Sequence, residues 1–420
     1  MKELILQGQQ DRLRAALLEQ GELIEAYEQE GIHAALVGNI YRGRVVNVLP
    51  GMQAAFVNIG LEKNAFLYVA DALPQHFSEE DERLRPAEMR RVEQVLHPGQ
   101  ELIVQIIKEP VGGKGARITT NLTLPGRYTV LLPKVDYVGV SRKIKDQTER
   151  ERLRGIAGLK RPAGVGLIVR TLAEGLGEAE ISEDIARLVE LWEEILARLP
   201  NTSLPGQIYR ELDLVGRLMR DLVDADVDRI TVDKEEVAAV LRLALREIAH
   251  PAVNRVFLDL SGNLFERNGV EAQIRKALQP KVWLKSGGYL VIEETEALTV
   301  VDVNTGKYTG ERSLQGTVLR TNLEAAGEIA RQLRLRNLGG IIVIDFIDMD
   351  AEADRQQVLA TLETYCLKDK LKCDILGFTR LGLVEMTRKK VGRRLTARYT
   401  TVCQVCEGKG YTVGAELEHV

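Results

Sequence analysis

Two apolar segments in the last third of the chain end abruptly in acids: Val300-Val301-Asp302-Val303-Asn304 and Ile344-Asp345-Phe346-Ile347-Asp348. Each reads as a strand, and an acid at a strand's end lies at the sheet edge where α/β folds usually bind ligands. Two carboxylates from neighbouring strands would form a partial oxygen cage for magnesium, which keeps several waters and takes few protein ligands. A metal held there lowers the pKa of a bound water and neutralises charge on a phosphodiester under attack. Asn304 could steady a carboxylate or a water from behind. The plainer alternative is that these acids cap loops or pair with arginines.

Three other groups could carry chemistry. Phe56 and Phe66 fall on adjacent predicted strands, with Lys108, Lys114 and Arg117 close in sequence. Exposed rings stack on bases while cations follow the backbone; turned inward, the same rings would fill a core, and the alternation fits both. Arg170-Thr171 closes an apolar run that begins at Gly164. Its guanidinium can fork onto two phosphate oxygens while the hydroxyl donates a third bond, although a solvated arginine is the simpler reading. Cys403-Gln404-Val405-Cys406 has the two-residue gap of a metal knuckle. Structural zinc takes four ligands, yet the chain has no second such pair and none of its five histidines lies beside this one. A histidine brought in by the fold, or a second copy of the chain, would have to complete the site; a redox dithiol or a plain turn are the alternatives. Gly112-Gly113-Lys114-Gly115 lacks the Walker spacing and predicts no nucleotide site.

Several domains are needed to carry these groups, because 420 residues exceed one compact core and suggest two to four units. A hydrophobic content of 45% is ordinary for a soluble protein. No apolar run approaches the ~20 residues that span a bilayer. The opening Met1-Lys2-Glu3-Leu4 is polar where a signal peptide is apolar, so a cytoplasmic location is expected. The net charge of -4 argues only weakly against a nucleic-acid partner, since local basic patches matter more than the total. Four cysteines are too few for a disulfide framework, and Cys366 and Cys373 read as isolated thiols.

Short strands with glycine turns between Asn39 and Thr120 suggest a small closed barrel of the oligonucleotide-binding kind, interrupted by a polar insert from Phe77 to Val95. A second strand-rich block runs from Tyr128 to Arg170. The spacing of Ile185, Leu188, Trp192, Ile195 and Leu199 predicts an amphipathic helix starting at Ser182. Residues 208–280 carry no readable motif. The last third reads as α/β, with a helix capped by Asn322 and running through Ile329 and Leu333; Arg331, Arg334 and Arg336 stand near its end, before Gly339-Gly340.

Longer strings then resemble one family. The run from Glu294 to Gly306, Thr321-Asn322-Leu323-Glu324-Ala325-Ala326, the stretch from Ile329 to Gly340 and Ile344-Asp345-Phe346-Ile347-Asp348-Met349 are similar to the catalytic part of the ribonuclease E/G family. The similarity extends from Asn39-Ile40-Tyr41-Arg42-Gly43 to the cysteine pair. Pro50-Gly51-Met52-Gln53, Gly287-Gly288-Tyr289-Leu290 and Gly382-Leu383-Val384-Glu385 resemble its ribonuclease G branch, as does the absence of a long scaffold region.

The resemblance implies an α+β multi-domain fold. A ribonuclease-H-like unit would be split between residues 1–37 and 217–278, with an S1-type OB barrel inserted at 38–120 and a 5′-sensor region at 121–216. A DNase I-like catalytic domain would occupy 279–399, a zinc link 400–410 and a short tail 411–420. Asp302 and Asp345 match the family's magnesium carboxylates and Asn304 its neighbouring asparagine. Phe56, Phe66 and Lys114 match barrel positions that hold substrate. Arg170 and Thr171, with Gly126, Val130 and Arg142 around them, match the site for a 5′-monophosphate. Cys403 and Cys406 match zinc ligands shared between two subunits, although Gln404 stands where the family usually has proline. Relatives continue beyond the position of Val420 into a further small domain.

The expected activity is magnesium-dependent internal cleavage of single-stranded, A/U-rich RNA, preferring 5′-monophosphorylated ends and leaving 5′-phosphate and 3′-hydroxyl products. Ribosomal RNA precursors and messenger RNA are the implied substrates, and a zinc-linked homodimer the implied assembly. A non-catalytic RNA-binding protein is the rival reading, and a magnesium-dependent deoxyribonuclease a third.

Overall fold

The computed structural model describes every residue except 10–11, 31–35, 77–84, 87–90, 111–113, 224–225, 248–250, 307–313, 407, 409, 411 and 413–420. Gly112 and Gly113 therefore lie outside the described residues, as does most of the polar insert. Four larger sheets carry the chain. No helix among the described residues is long and apolar enough to cross a membrane.

The opening segment forms an antiparallel meander of Lys2–Gln9, Arg12–Glu19 and Glu22–Glu30. Lys2–Gln9 also pairs in parallel with Arg229–Val232, which pairs in parallel with Val256–Leu258. Two segments far apart in sequence thus complete one five-stranded sheet. Both of its faces are covered: Leu4, Leu6 and Leu17 pack with Leu218, Ile230 and Leu241, while Ile5, Ala16 and Leu18 pack against Phe265 and Ile274. Burial on both faces accounts for the unbroken apolar stretches Leu4-Ile5-Leu6 and Ala15-Ala16-Leu17-Leu18 in these strands.

The strands Ile40–Leu49, Ala54–Asn58, Ala65–Tyr68, Arg117–Thr119 and Glu101–Lys108 follow one another around a sheet. Pairing of the last with the first closes a five-stranded barrel. Closure removes the sheet edges and buries Val45, Val57, Leu67, Val104 and Ile118 inside.

A third sheet orders Leu124–Pro125, Thr129–Leu132, Gly166–Val169 and Val138–Val140. The helices Gln147–Lys160 and Glu178–Arg198 share its apolar core, to which Leu153, Ile181, Ile185 and Leu188 contribute. The second helix begins before the predicted Ser182, with Glu178 and Glu180 in its first turn, where acids suit the positive end of the helix dipole.

The last sheet orders Lys281–Trp283, Tyr289–Glu294, Leu298–Asn304, Gly340–Asp345, Val384–Arg388 and Cys373–Phe378. One face is sealed by the helices Leu314–Leu335 and Glu352–Cys366, through Leu290, Ile292, Val301, Val303, Ile342, Ile344, Ala326, Ile329 and Val358. The alternate residues of the same strands form the opposite, open face. The first of these helices runs from Leu314, so Asn322 lies in its interior and does not cap it. The arginines near its end each have a defined partner. Arg331 donates to the Leu23 carbonyl, Arg334 pairs with Glu25 and Arg336 donates to the Gln279 carbonyl, so two of the three tie this helix to the N-terminal meander.

Candidate functional site

The parallel strands Leu298–Asn304 and Gly340–Asp345 are in a register that sets Asp302 directly opposite Asp345. Neighbouring strands lie ~4.8 Å apart, and residues facing each other project from the same side. Val301, Val303 and Ile344 turn into the core, which places both acids on the open face, where both are exposed. The Asn304 amide donates to Asp302 Oδ2 at 2.7 Å. That bond fixes one carboxylate oxygen and leaves Asp302's other oxygen and the Asp345 carboxylate to face a common ligand. Partial burial, then the charges of Asp302 and Asp348, hold the Asp345 carboxyl above its ordinary value. Like charges crowded in this way favour a bound cation.

Asn322 positions the segment that follows. Fully buried in the helix, it accepts from the Ile347 N–H at 3.1 Å and donates to the Ile347 carbonyl at 2.8 Å. The backbone just beyond Asp345 is thereby clamped from below. Sequence reasoning cast Asn322 as a helix cap; the signal available was its place on an apolar stripe with Val318, Ala325 and Ile329.

On the barrel, Phe56 and Phe66 oppose each other in register, with ring centroids 5.6 Å apart and planes inclined by 76°. Both are half-buried, and Tyr68 extends the cluster at 4.6 Å from Phe66. The rings line a cleft of about 840 Å³ together with Lys63, Lys108 and Lys114, and so do not fill the core. Arg117 joins the cleft, paired with Asp71 at 2.7 Å and stacked over Tyr68 at 4.7 Å. Gly115 lets the chain pass close to its neighbour, since a Cβ there would stand 1.9 Å from the Asn64 carbonyl.

Arg170, Thr171, Gly126 and Val130 come together at one end of the third sheet, where the chain also carries Arg142. The Arg170 guanidinium donates to the Gly126 carbonyl at 2.6 Å and to Asp221 at 2.8 Å. Val130 pairs with Ile168, two residues before Arg170, on the same face. The Thr171 and Ser141 hydroxyls lie 2.9 Å apart, and Arg142 follows Ser141. Burial raises the Asp221 carboxyl, but Arg220 and Arg170 outweigh it and hold the group below its ordinary value. Asp221 thus stays ionised and aims Arg170. Asp184 shapes the facing turn: its carboxylate accepts the N–H groups of Arg127, Tyr128 and Thr129 and the Thr129 hydroxyl, at 2.7–3.1 Å. A Cβ on residue 126 would sit 2.7 Å from that carboxylate, which accounts for glycine there. Neither acid was foreseen; Asp184 was legible only as an acid on the helix stripe of Ile181, Ile185 and Leu188.

The family model described as "Ribonuclease E/G family" matches residues 123–391, which hold both acids and the Arg170 cluster. Ribonuclease G of Escherichia coli strain K12 is 44% identical over 411 residues, covering 97% of this chain and 84% of its own. The chain belongs to the ribonuclease E/G family. Ribonuclease G of Haemophilus influenzae is 41% identical, covering 97% of this chain and 83% of its own. Ribonuclease E of Nostoc sp. is 43% identical over 423 residues, covering 98% of this chain and 59% of the longer relative.

In this ribonuclease E/G family member the remaining predicted ligands stand apart from the acids. Cys403 is exposed and Cys406 half-buried in a turn after the helix Leu395–Tyr399. The Cys406 and Val405 backbone N–H groups, followed by the Cys406 side chain, lower the Cys403 thiol pKa, a setting that favours thiolate. Among the described residues no cluster of three or more His, Cys, Asp or Glu side chains is placed to hold a metal. The acids and the cysteines are therefore each a pair. Cys366 and Cys373, read as isolated thiols, are hydrogen-bonded neighbours beside the buried Asp369–Arg388 pair.

Proposed function

We propose that this endoribonuclease cuts single-stranded RNA internally at Asp302 and Asp345, with magnesium held between them. The observation that carries the reading is the in-register pair of like-charged carboxylates on an open sheet face, one of them oriented by Asn304. Two carboxylates suit magnesium, which keeps several waters; the elevated Asp345 pKa fits a site whose charge calls for a cation. When bound, magnesium supplies charge neutralisation at the phosphodiester and activation of a water. Asp302 and Asp345 hold the ion, and Asn304 keeps Asp302 from rotating away. The Asn322 clamp on Ile347 keeps Asp345 and its strand end in place. Cleavage would leave 5′-phosphate and 3′-hydroxyl ends.

The barrel cleft would grip the strand away from the cut, with Phe56 and Phe66 stacking on bases and Lys114 meeting the backbone. Arg170, Thr171, Arg142 and the frame of Gly126 and Val130 would bind a 5′-monophosphate. A compact dianion matches a guanidinium already aimed by Asp221. Ribosomal RNA precursors and messenger RNA are the natural substrate classes we propose, in A/U-rich single-stranded segments. Cys403 and Cys406 supply half of a tetrahedral zinc site, and the same pair from a second copy would complete it, giving a homodimer. The split sheet formed by residues 1–30 and 229–258 would be the ribonuclease-H-like unit, and the last sheet with its two helices the DNase I-like catalytic domain.

The test is cleavage of a short A/U-rich RNA with a 5′-monophosphate, beside the same RNA with a 5′-hydroxyl and a matched DNA, in magnesium and in EDTA. Magnesium-dependent internal cutting of RNA that favours the monophosphate supports the reading. Tight binding without cutting favours a non-catalytic RNA-binding protein, and equal cutting of DNA favours a general nuclease.

A further inference from the structure

The open face that carries the acids also carries an aromatic group that the sites above leave unused. Register runs in two parallel rows across the sheet. One row is Lys281, Val291, Asp302 and Asp345; the next is Trp283, Tyr289 and Asn304. The residues between the rows, Leu290 and Val303, are buried under the helices. Both rows therefore project from the face opposite the helices. With strands ~4.8 Å apart, Trp283 stands two strands, or about 10 Å, from Asn304.

Trp283 is 64% exposed, on an edge strand and outside every core cluster. Its ring lies 5.3 Å from that of Tyr289, inclined by 61°. Lys281 Nζ sits 3.6 Å from the Tyr289 centroid and 4.2 Å from the Trp283 centroid. A cation set against two rings holds them in place, and it brings positive charge into the same row as the acids. What sets this exposed indole apart is its company: a second ring and an amine are packed against it on the face that carries the acids. A strand of RNA with its phosphate at Asp302 and Asp345 that leaves toward the Lys281–Trp283 edge passes the rings and the amine.

We propose that Trp283, with Tyr289 and Lys281, forms a base-stacking subsite of the catalytic sheet. It grips a nucleobase of single-stranded RNA close to the bond that is cut. The inference rests on the ribonuclease reading above for its placement of the scissile phosphate. Stacking on an exposed ring is tolerant of base identity, so the subsite secures a single strand and excludes duplex, whose bases are already stacked. Trp283 acts as a positioning residue, and the chemistry remains with the acids.

The chain has two tryptophans, Trp192 and Trp283, and Trp192 is only 9% exposed within its helix. The whole protein, titrated in EDTA with a short single-stranded RNA, is expected to show quenching of an exposed indole. That quenching should vanish in Trp283→Phe, while the affinity stays near wild type. Trp283→Ala should weaken binding about 5- to 150-fold, the range for one aromatic stack, and raise KM in magnesium with kcat retained. Trp283 emission unmoved by saturating RNA would overturn the subsite and leave the patch to a protein partner. A wild-type KM in Trp283→Ala would overturn it equally. RNA that quenches Trp283 yet is never cut would support the subsite while overturning the ribonuclease reading, so the two failures are distinguishable.

Discussion

Replacing Phe56 and Phe66 by alanine, singly and together, tests the barrel cleft. Each ring is half-buried, and the barrel core beneath is filled by other residues, including Val57 and Leu67. Either variant should therefore keep the fold. Stacking of a base on an aromatic ring is worth ~1–3 kcal/mol, and about 1.4 kcal/mol is a factor of ten. Each single change should weaken RNA binding by roughly 5- to 150-fold. The rings touch edge to face at 5.6 Å, so an edge-to-face contact worth ~0.5–1.5 kcal/mol is lost in either single variant. The stability cost of the double variant should fall short of the sum of the singles by about that amount. Fluorescence anisotropy with a labelled RNA in EDTA measures the affinities, and urea unfolding the stabilities. Wild-type affinity in both single variants would refute the cleft as an RNA site. Loss of the barrel fold in either would show that the rings are core residues after all.

Three further outcomes are expected. Arg170→Ala should abolish the preference for a 5′-monophosphate over a 5′-hydroxyl while cleavage of the hydroxyl form persists, measured by the ratio of kcat/KM values; an unchanged ratio would sink the sensor assignment. Asn322→Ala should cost about 1–3 kcal/mol by unmaking buried hydrogen bonds to Ile347, seen in urea unfolding, and should lower cleavage through misplacement of the segment after Asp345; full stability and activity would remove the clamp. Cys403 should react with Ellman's reagent in the native protein and be protected by zinc, and Cys403→Ala with Cys406→Ala should run as a monomer by light scattering; a zinc-independent dimer would refute the shared site.

What could be read from the residues follows from what local sequence determines. The strands bearing Asp302 and Asp345 were legible because an apolar run ending in acid is a local pattern. Their register is not local, and it is what brings the two acids together. Phe56 and Phe66 were ambiguous because alternation assigns residues to faces without saying which face is covered; closure of the barrel decides that. Residues 208–280 were opaque since Arg229–Val232 and Val256–Leu258 complete a sheet begun at Lys2, and such pairing at long range leaves no periodic trace. Asn322, Asp184 and Asp221 act through tertiary hydrogen bonds to residues far away in sequence, which no spacing rule encodes. Trp283 went unread for another reason: nothing in its neighbours sets it apart, and only its exposure on the folded sheet marks it as a surface group.

The most direct measurement is RNA binding and cleavage by Asp302→Asn beside the wild-type protein, with a 5′-monophosphorylated A/U-rich RNA. The amide keeps the size of the side chain and removes the charge that would hold magnesium. Affinity near wild type in EDTA and no internal cleavage in magnesium are expected. Cleavage at the wild-type rate would take Asp302 out of the reaction and overturn the proposed magnesium site.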